Sequence, residues 1–209
     1  VRRAYAPRPG KAKLADSETG QAYRRPKMTS TKRLVTLSKL LSLMLRHEPA
    51  KFGLVLDPEG FTPVGDVLQA VRGAIPDVTE GDIVAVIETI EPDKKRFSLD
   101  DGEIRANYGH SLSERIAQSA HVPPDALFHG TNQTWVALIL RDGLKPMRRQ
   151  YVHMTPNAEL ARRVGARRGA PVLLEVDART AHADGIVFYQ ANESFWLADL
   201  VPAKYLRRP

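Results

Sequence analysis

Apolar positions first become periodic at Leu34. Leu34, Leu37, Leu41, Met44 and Leu45 share one helical face, after a polar Thr29-Ser30-Thr31 entry and before a stop near Arg46-His47-Glu48 imposed by Pro49. Thr62-Pro63 has the form of an N-cap followed by proline at the first helical position, and Val64, Val67, Leu68 and Val71 mark a second apolar face. Thr79 with Asp82 predicts the start of a third helix carrying Ile83, Val86, Ile87 and Ile90 on one side. Arg96-Phe97-Ser98-Leu99 and Glu103-Ile104-Arg105-Ala106, around Asp100-Asp101-Gly102, predict a β-hairpin.

A second unit follows a linker around His121-Val122-Pro123-Pro124. Its predicted strands are Ala126–His129, Tyr151–Met154, Val172–Val176, Ile186–Tyr189 and Ser194–Leu197, and its helices run over Trp135–Leu140 and Asn157–Val164. The fold class expected is α+β. Three helices and a hairpin are the parts of a winged helix, which assigns residues 31–119 to one lobe and 120–209 to a strand-rich second lobe. Residues 1–30, rich in Pro, Gly, Lys and Arg with only scattered apolar positions, read as a basic flexible arm.

Charge changes this picture more than composition does. The formal charge of the 209 residues is +7, but residues 1–33 hold ten Lys/Arg against two acids, so the remainder is close to neutral. Within that remainder, residues 141–168 carry eight basic and two acidic side chains, and 77–103 three basic and nine acidic. A winged helix suggests duplex reading by its third helix, yet this one carries Glu80, Asp82, Glu88 and Glu91 with no Lys or Arg from Gly73 to Asp93, and DNA phosphates would repel it. The absence of cysteine removes disulfides, thiolate nucleophiles and Cys-based zinc sites, and no His-x-x-His spacing replaces them, so no metal is expected. No stretch approaches eighteen apolar residues, and Val1-Arg2-Arg3-Ala4 lacks the apolar core of a signal peptide; a cytoplasmic protein without membrane contact is expected.

Four segments set histidine and arginine beside glycine or at element ends. They are Leu45-Arg46-His47-Glu48-Pro49, Ile104–Ser111 (containing Arg105 and Gly109-His110-Ser111), Phe128-His129-Gly130-Thr131, and Gly143–His153 (containing Arg148, Arg149 and Tyr151-Val152-His153). In order and content they resemble the RNA 2′-phosphotransferase family, also called tRNA 2′-phosphotransferases, over about Thr31 to Leu206.

The resemblance implies an N-terminal winged helix and a C-terminal ADP-ribosyltransferase-like lobe with NAD, as co-substrate, in its cleft. It implies two steps. The RNA 2′-phosphate displaces nicotinamide from NAD, giving an ADP-ribosylated RNA 2′-phosphate; the ribose 2-hydroxyl then attacks phosphorus, releasing 2′-hydroxyl RNA and ADP-ribose 1″,2″-cyclic phosphate. The family's catalytic Arg-His-Arg-Arg set falls on Arg46, His47, Arg105 and Arg149, His47 protonating the departing RNA 2′-oxygen or assisting the attacking hydroxyl. Guanidinium forks suit a phosphate dianion, since they bind it bidentately and stay ionised. His129, Gly130, Thr131, His153 and Thr155 would hold NAD, with Gly130 letting the nicotinamide ring approach the backbone. His110 and Ser111 would add a substrate-phosphate contact. The expected partner is RNA bearing an internal 2′-phosphate, with spliced, ligated tRNA the class the family suggests and no obligate protein partner evident.

Three positions depart from the family's habit: Tyr108 (glutamine is usual), Tyr151 (histidine) and Phe195 (a small aliphatic residue). Phe195 holds the place where many ADP-ribosyltransferases have glutamate. If that segment is a strand, Glu193 shares its face about 7 Å away. Two alternatives stay open: an ADP-ribosyltransferase that stops at step one on nucleic-acid ends or proteins, and a non-catalytic winged-helix nucleic-acid-binding protein.

Overall fold

The computed structural model describes residues 31–88, 95–166 and 169–209. The basic arm at 1–30, the Thr29-Ser30 entry, Ile90 and Glu91 lie outside them. Over the described residues the chain is α+β, built on three small antiparallel sheets.

Helix α1 (Thr31–Arg46) buries Leu37, Leu41, Met44 and Leu45 completely. Strand β1 (Phe61–Pro63), helices α2 (Val64–Arg72) and α3 (Glu80–Glu88), and strands β2 (Phe97–Asp100) and β3 (Glu103–Ala106) follow. Val67, Val71, Ile83, Val86, Phe97, Ile104 and Ala106 close one apolar core with the α1 stripe. The α3 start is a reciprocal cap: Asp82 Oδ2 accepts the Thr79 N–H at 2.9 Å while Thr79 Oγ1 accepts the Asp82 N–H at 3.2 Å. The β2–β3 hairpin turns through Asp101 and Gly102, both at positive φ (47° and 75°).

Thr62 corrects the sequence reading. It belongs to β1, paired with Ile104 across β3, and caps nothing; Pro63 precedes α2. Sheet pairing claims residue 62 before the helix begins, so β3 is the central strand of a β1-β3-β2 sheet and not half of a lone hairpin.

The second apolar cluster draws on Leu127, Leu144, Val152, Met154, Val176, Phe188, Trp196, Ala198 and Val201. Strand β4 (Ala126–Asn132) leads into α4 (Gln133–Asp142), capped by the Asn132 side chain. Then come β5 (Val152–Met154), α5 (Ala158–Gly165), β6 (Pro171–Asp177), α6 (Ala178–Ala183), β7 (Phe188–Gln190), β8 (Trp196–Ala198) and β9 (Leu206–Arg207). Sheet orders are β4-β6-β9 and β5-β8-β7, and a Phe128–Thr155 bridge joins the two sheets. Short α6 and two-residue β9 have too little periodicity to show in the sequence.

Strand β8 begins only at Trp196. Asn192 Oδ1 accepts the N–H groups of Ser194 (2.9 Å) and Phe195 (2.8 Å), folding the segment into a turn, so Glu193 does not share a strand face with Phe195. Among the described residues no helix is long and apolar enough to cross a membrane.

Candidate active site

Arg46 is the last residue of α1, next to the fully buried Leu45, and that phase carries it inward to 7% exposure. Its guanidinium lies 5.5 Å from the Phe97 ring and 5.0 Å from the Tyr108 ring, and Nη2 donates to the Arg96 carbonyl at 3.3 Å. Nε is enclosed and makes no hydrogen bond. Burial lowers its pKa to about 10; Tyr108 acts the other way, and the nearby cations Arg149 and Arg96 add to the lowering. A cation held this way remains charged at neutral pH and is stabilised by any anion that enters.

Arg149 lies in the segment between α4 and β5. Its Nη1 donates to the Gly109 carbonyl at 2.9 Å. Gly109 sits at φ +90°, and a Cβ there would collide with Arg149 Nη1 and lie 3.4 Å from Arg46 Nη1. Two guanidiniums from distant parts of the chain therefore flank one glycine, and Arg149, not its neighbour Arg148, makes the approach. The peptide next along is tied to the same loop, the Gln150 N–H donating to the His110 carbonyl at 3.1 Å. The Gln150 side chain spans the segment that follows. Nε2 donates to the carbonyls of Leu112 (3.0 Å) and Glu114 (2.6 Å), and Oε1 accepts the Ile116 N–H (3.0 Å).

His47 is exposed, with Nδ1 2.7 Å from Ser111 Oγ; burial, Arg149 and Arg46 lower its pKa, opposed by Glu48. The Ser111 N–H donates to the Arg46 carbonyl at 3.0 Å. His110 is 2% exposed, and an added Cβ on Gly60 would sit 3.7 Å from its unpartnered Nε2, so the ring packs inward. Its pKa is lowered to about 3 by burial, then by Arg46, Arg105, His47 and Arg149. All four expected catalytic side chains thus lie within electrostatic reach of one buried imidazole.

Arg105 stands somewhat apart. On β3, between the buried Ile104 and Ala106, it projects over the Phe61 ring at 4.8 Å and donates to the Glu59 carbonyl at 3.4 Å. Burial lowers its pKa while the carboxylates of Glu59, Asp57 and Asp100 act the other way.

The expected NAD residues lie around the junction of the β4-β6-β9 and β5-β8-β7 sheets. His129 Nδ1 donates to the His153 carbonyl at 2.9 Å, which leaves Nε2 as the acceptor of the neutral ring. His153 Nε2 is enclosed without a partner; burial, then Arg149, lower its pKa to about 3. The Tyr108 ring lies 5.9 Å from His153 and 4.7 Å from Phe195. Phe128 and Thr155 exchange backbone hydrogen bonds at 2.7 and 3.0 Å across the sheet junction. By the two-residue alternation of an antiparallel strand, the peptide groups of Gly130 face that same β5 edge, away from β6. The Thr155 hydroxyl is engaged locally, accepting the Asn157 N–H at 3.1 Å at the entrance to α5.

Gly130 also has a packing reason to be glycine. Its Cα faces α5, where a Cβ would collide with the Ala161 carbonyl, and Gly165 reciprocates, a Cβ there coming within 2.8 Å of the Thr131 oxygen. Helix–strand contact, with backbones touching, requires the glycine whatever binds on the other side. Gly109 and Gln150 lie in the segments singled out above, but the sequence alone gives neither a role. A glycine beside His110 was the only local signal for the first, and nothing along the sequence marks a glutamine whose partners lie 34 to 38 residues away.

The family model described as RNA 2′-phosphotransferase, Tpt1 / KptA family, matches residues 32–200. A protein of Acetivibrio thermocellus named probable RNA 2′-phosphotransferase is 43% identical over 174 residues, covering 82% of this chain and 94% of that protein. Proteins of the same name from Rhizobium rhizogenes (44% over 181 residues, 86% and 96%) and Streptomyces coelicolor (41% over 177 residues, 85% and 96%) are similar over nearly the same span.

Proposed function

The chain belongs to the RNA 2′-phosphotransferase, Tpt1 / KptA family, and from that premise we propose that it removes an internal 2′-phosphate from RNA and transfers it to NAD. The observation that carries this reading is the pair Arg46 and Arg149, from two lobes, beside Gly109, with Arg46 buried and neighboured by cations. Burying the Arg46 cation beside a second guanidinium is costly unless an anion joins them, and a 2′-phosphomonoester is such a group.

The fold supports the same reading. The order helix, strand, helix, helix, strand, strand over 31–106 is that of a winged helix, and we assign the lobe 31–119 accordingly. The two joined sheets of 120–209 fit an ADP-ribosyltransferase-like lobe. Residues at that junction suit a carboxamide and a ribose: the peptide edge of Gly130, the Nε2 acceptor of His129, and the enclosed Nε2 of His153. Bound NAD supplies a ribose carbon from which nicotinamide departs.

The chain's own residues supply the rest. Arg46 and Arg149 clamp the phosphate and present one of its oxygens to that carbon, needing no general base because the dianion is already the nucleophile. Arg105 adds a third fork from the winged-helix side. In the second step the same guanidiniums neutralise charge growing on the phosphorus oxygens. His47, kept mainly neutral, takes the proton of the attacking ribose hydroxyl and returns a proton to the RNA 2′-oxygen as its bond to phosphorus breaks.

The test is incubation of a short RNA bearing one internal 2′-phosphate, with and without NAD. NAD-dependent appearance of 2′-hydroxyl RNA, nicotinamide and ADP-ribose cyclic phosphate is the expected result. RNA that accumulates carrying both phosphate and ADP-ribose would make the chain an ADP-ribosyltransferase, and binding without turnover would make it an RNA-binding module. Spliced, ligated tRNA is the natural RNA to try second.

A further inference from the structure

Ser111 is pinned at two points to the end of α1. Its N–H donates to the Arg46 carbonyl at 3.0 Å, satisfying one of the carbonyls that a helix C-terminus leaves open. Its hydroxyl meets His47 Nδ1 at 2.7 Å. The preceding carbonyls, of Gly109 and His110, are held by the Arg149 side chain and the Gln150 N–H. Residues 109–111 therefore form one short rail, with Arg149 on one end and His47 on the other.

We infer that Ser111 is a positioning residue: its hydroxyl accepts a hydrogen bond from His47 Nδ1–H, fixing the ring so that Nε2 carries the lone pair used in proton transfer. The inference rests on the reading of His47 given above. With Nδ1 turned to Ser111, Nε2 is the ring nitrogen left for the substrate. A neutral imidazole that must first accept a proton there needs its own proton on Nδ1, and the partner of Nδ1 decides the tautomer. His47 is exposed and sits just past the last turn of α1, and apart from this bond no hydrogen bond of its ring is seen among the described residues. Deleting the serine oxygen frees the ring without removing the backbone N–H that closes the helix. Ser111 acts through His47 and not on the phosphate.

The experiment uses the full chain with Ser111→Ala and Ser111→Thr. Two readouts are taken: single-turnover and steady-state kinetics on 2′-phosphorylated RNA, and nitrogen NMR of ¹⁵N-histidine-labelled protein, which reports the tautomer of each ring. Expected for Ser111→Ala is a kcat lowered about 10- to 100-fold with KM for RNA within twofold, and a His47 tautomer that moves from Nδ1–H to Nε2–H. Ser111→Thr, which keeps the hydroxyl, restores both. The inference is overturned by a wild-type rate in Ser111→Ala, by a loss confined to KM (the mark of a phosphate contact), or by a His47 tautomer that is not Nδ1–H in the unmutated chain. If Ser111→Ala does not fold, the wild-type tautomer and the activity of Ser111→Thr still decide. Should the unmutated chain leave 2′-phosphorylated RNA untouched, the proposed function falls, while the tautomer measurement still tests the Ser111–His47 bond on its own.

Discussion

Arg149 Nη1 donates a 2.9 Å hydrogen bond to the carbonyl of Gly109, and its guanidinium occupies the space any side chain on that glycine would need. Gly109→Ala should therefore act on Arg149 before anything else. The φ of +90° adds strain of about 1–3 kcal/mol, visible as a lower melting temperature. Displacing the guanidinium should cost about 100-fold in dephosphorylation. Adding Arg149→Ala to Gly109→Ala should cost little more, since both remove the same contact; a double variant whose losses multiply would separate the two residues.

Arg46 is expected to cost stability in return for function. Replacing it with methionine removes a buried cation with cationic neighbours, and the melting temperature should hold or rise, by about 1 kcal/mol of stability, while activity falls at least about 100-fold. Inorganic phosphate should raise the melting temperature of the unmutated chain and not that of Arg46→Met. A strongly destabilised Arg46→Met would instead make this arginine a structural residue.

Acid should unfold the protein steeply. His110 and His153 have native pKa values near 3, while an unfolded histidine titrates near 6.5. Between those values the unfolded chain binds more protons, so stability is full above about pH 6.5 and is lost as pH falls. With both residues contributing, the slope approaches about 2.7 kcal/mol per pH unit. Chemical denaturation at pH 7, 6 and 5 measures it, and His110→Asn should roughly halve the slope. A flat profile would contradict the burial of both rings.

Gly130→Ala should look like a folding defect. The added methyl meets the Ala161 carbonyl of α5, and about 3 kcal/mol of stability should be lost. Thermal melts with and without NAD distinguish the cases: a pure loss of NAD affinity at unchanged stability would return Gly130 to the role expected from sequence.

Residues 1–30 should influence affinity more than rate. They contribute eight Lys/Arg and two acids, and their removal should make the dependence of RNA affinity on salt shallower while kcat at saturating RNA is retained. A matching fall in kcat would give the segment a part in the chemistry.

Much of this molecule was already legible along the chain. The α1 stripe, the Thr79–Asp82 cap, the Asp101-Gly102 hairpin and the α5 start at Asn157 are local devices, set by periodicity or by side chains within a few residues of the backbone they satisfy. Four short segments were enough to indicate the family. Strand β1 was hidden because three residues carry no period and owe their state to β3, some forty positions on.

What tertiary structure alone decided is the arrangement of charge. In sequence Arg46 is a cation at a helix end, Arg149 one of several in a basic loop, and Gly130 a glycine awaiting a ligand. Folding buries the first beside Phe97 and Tyr108, lays the second against Gly109 from 40 residues on, and presses the third onto α5. Composition and spacing fix which groups are present. Their pKa values and their partners depend on burial and on neighbours about 30 to 100 residues away, and only the closed fold brings those within a few ångströms.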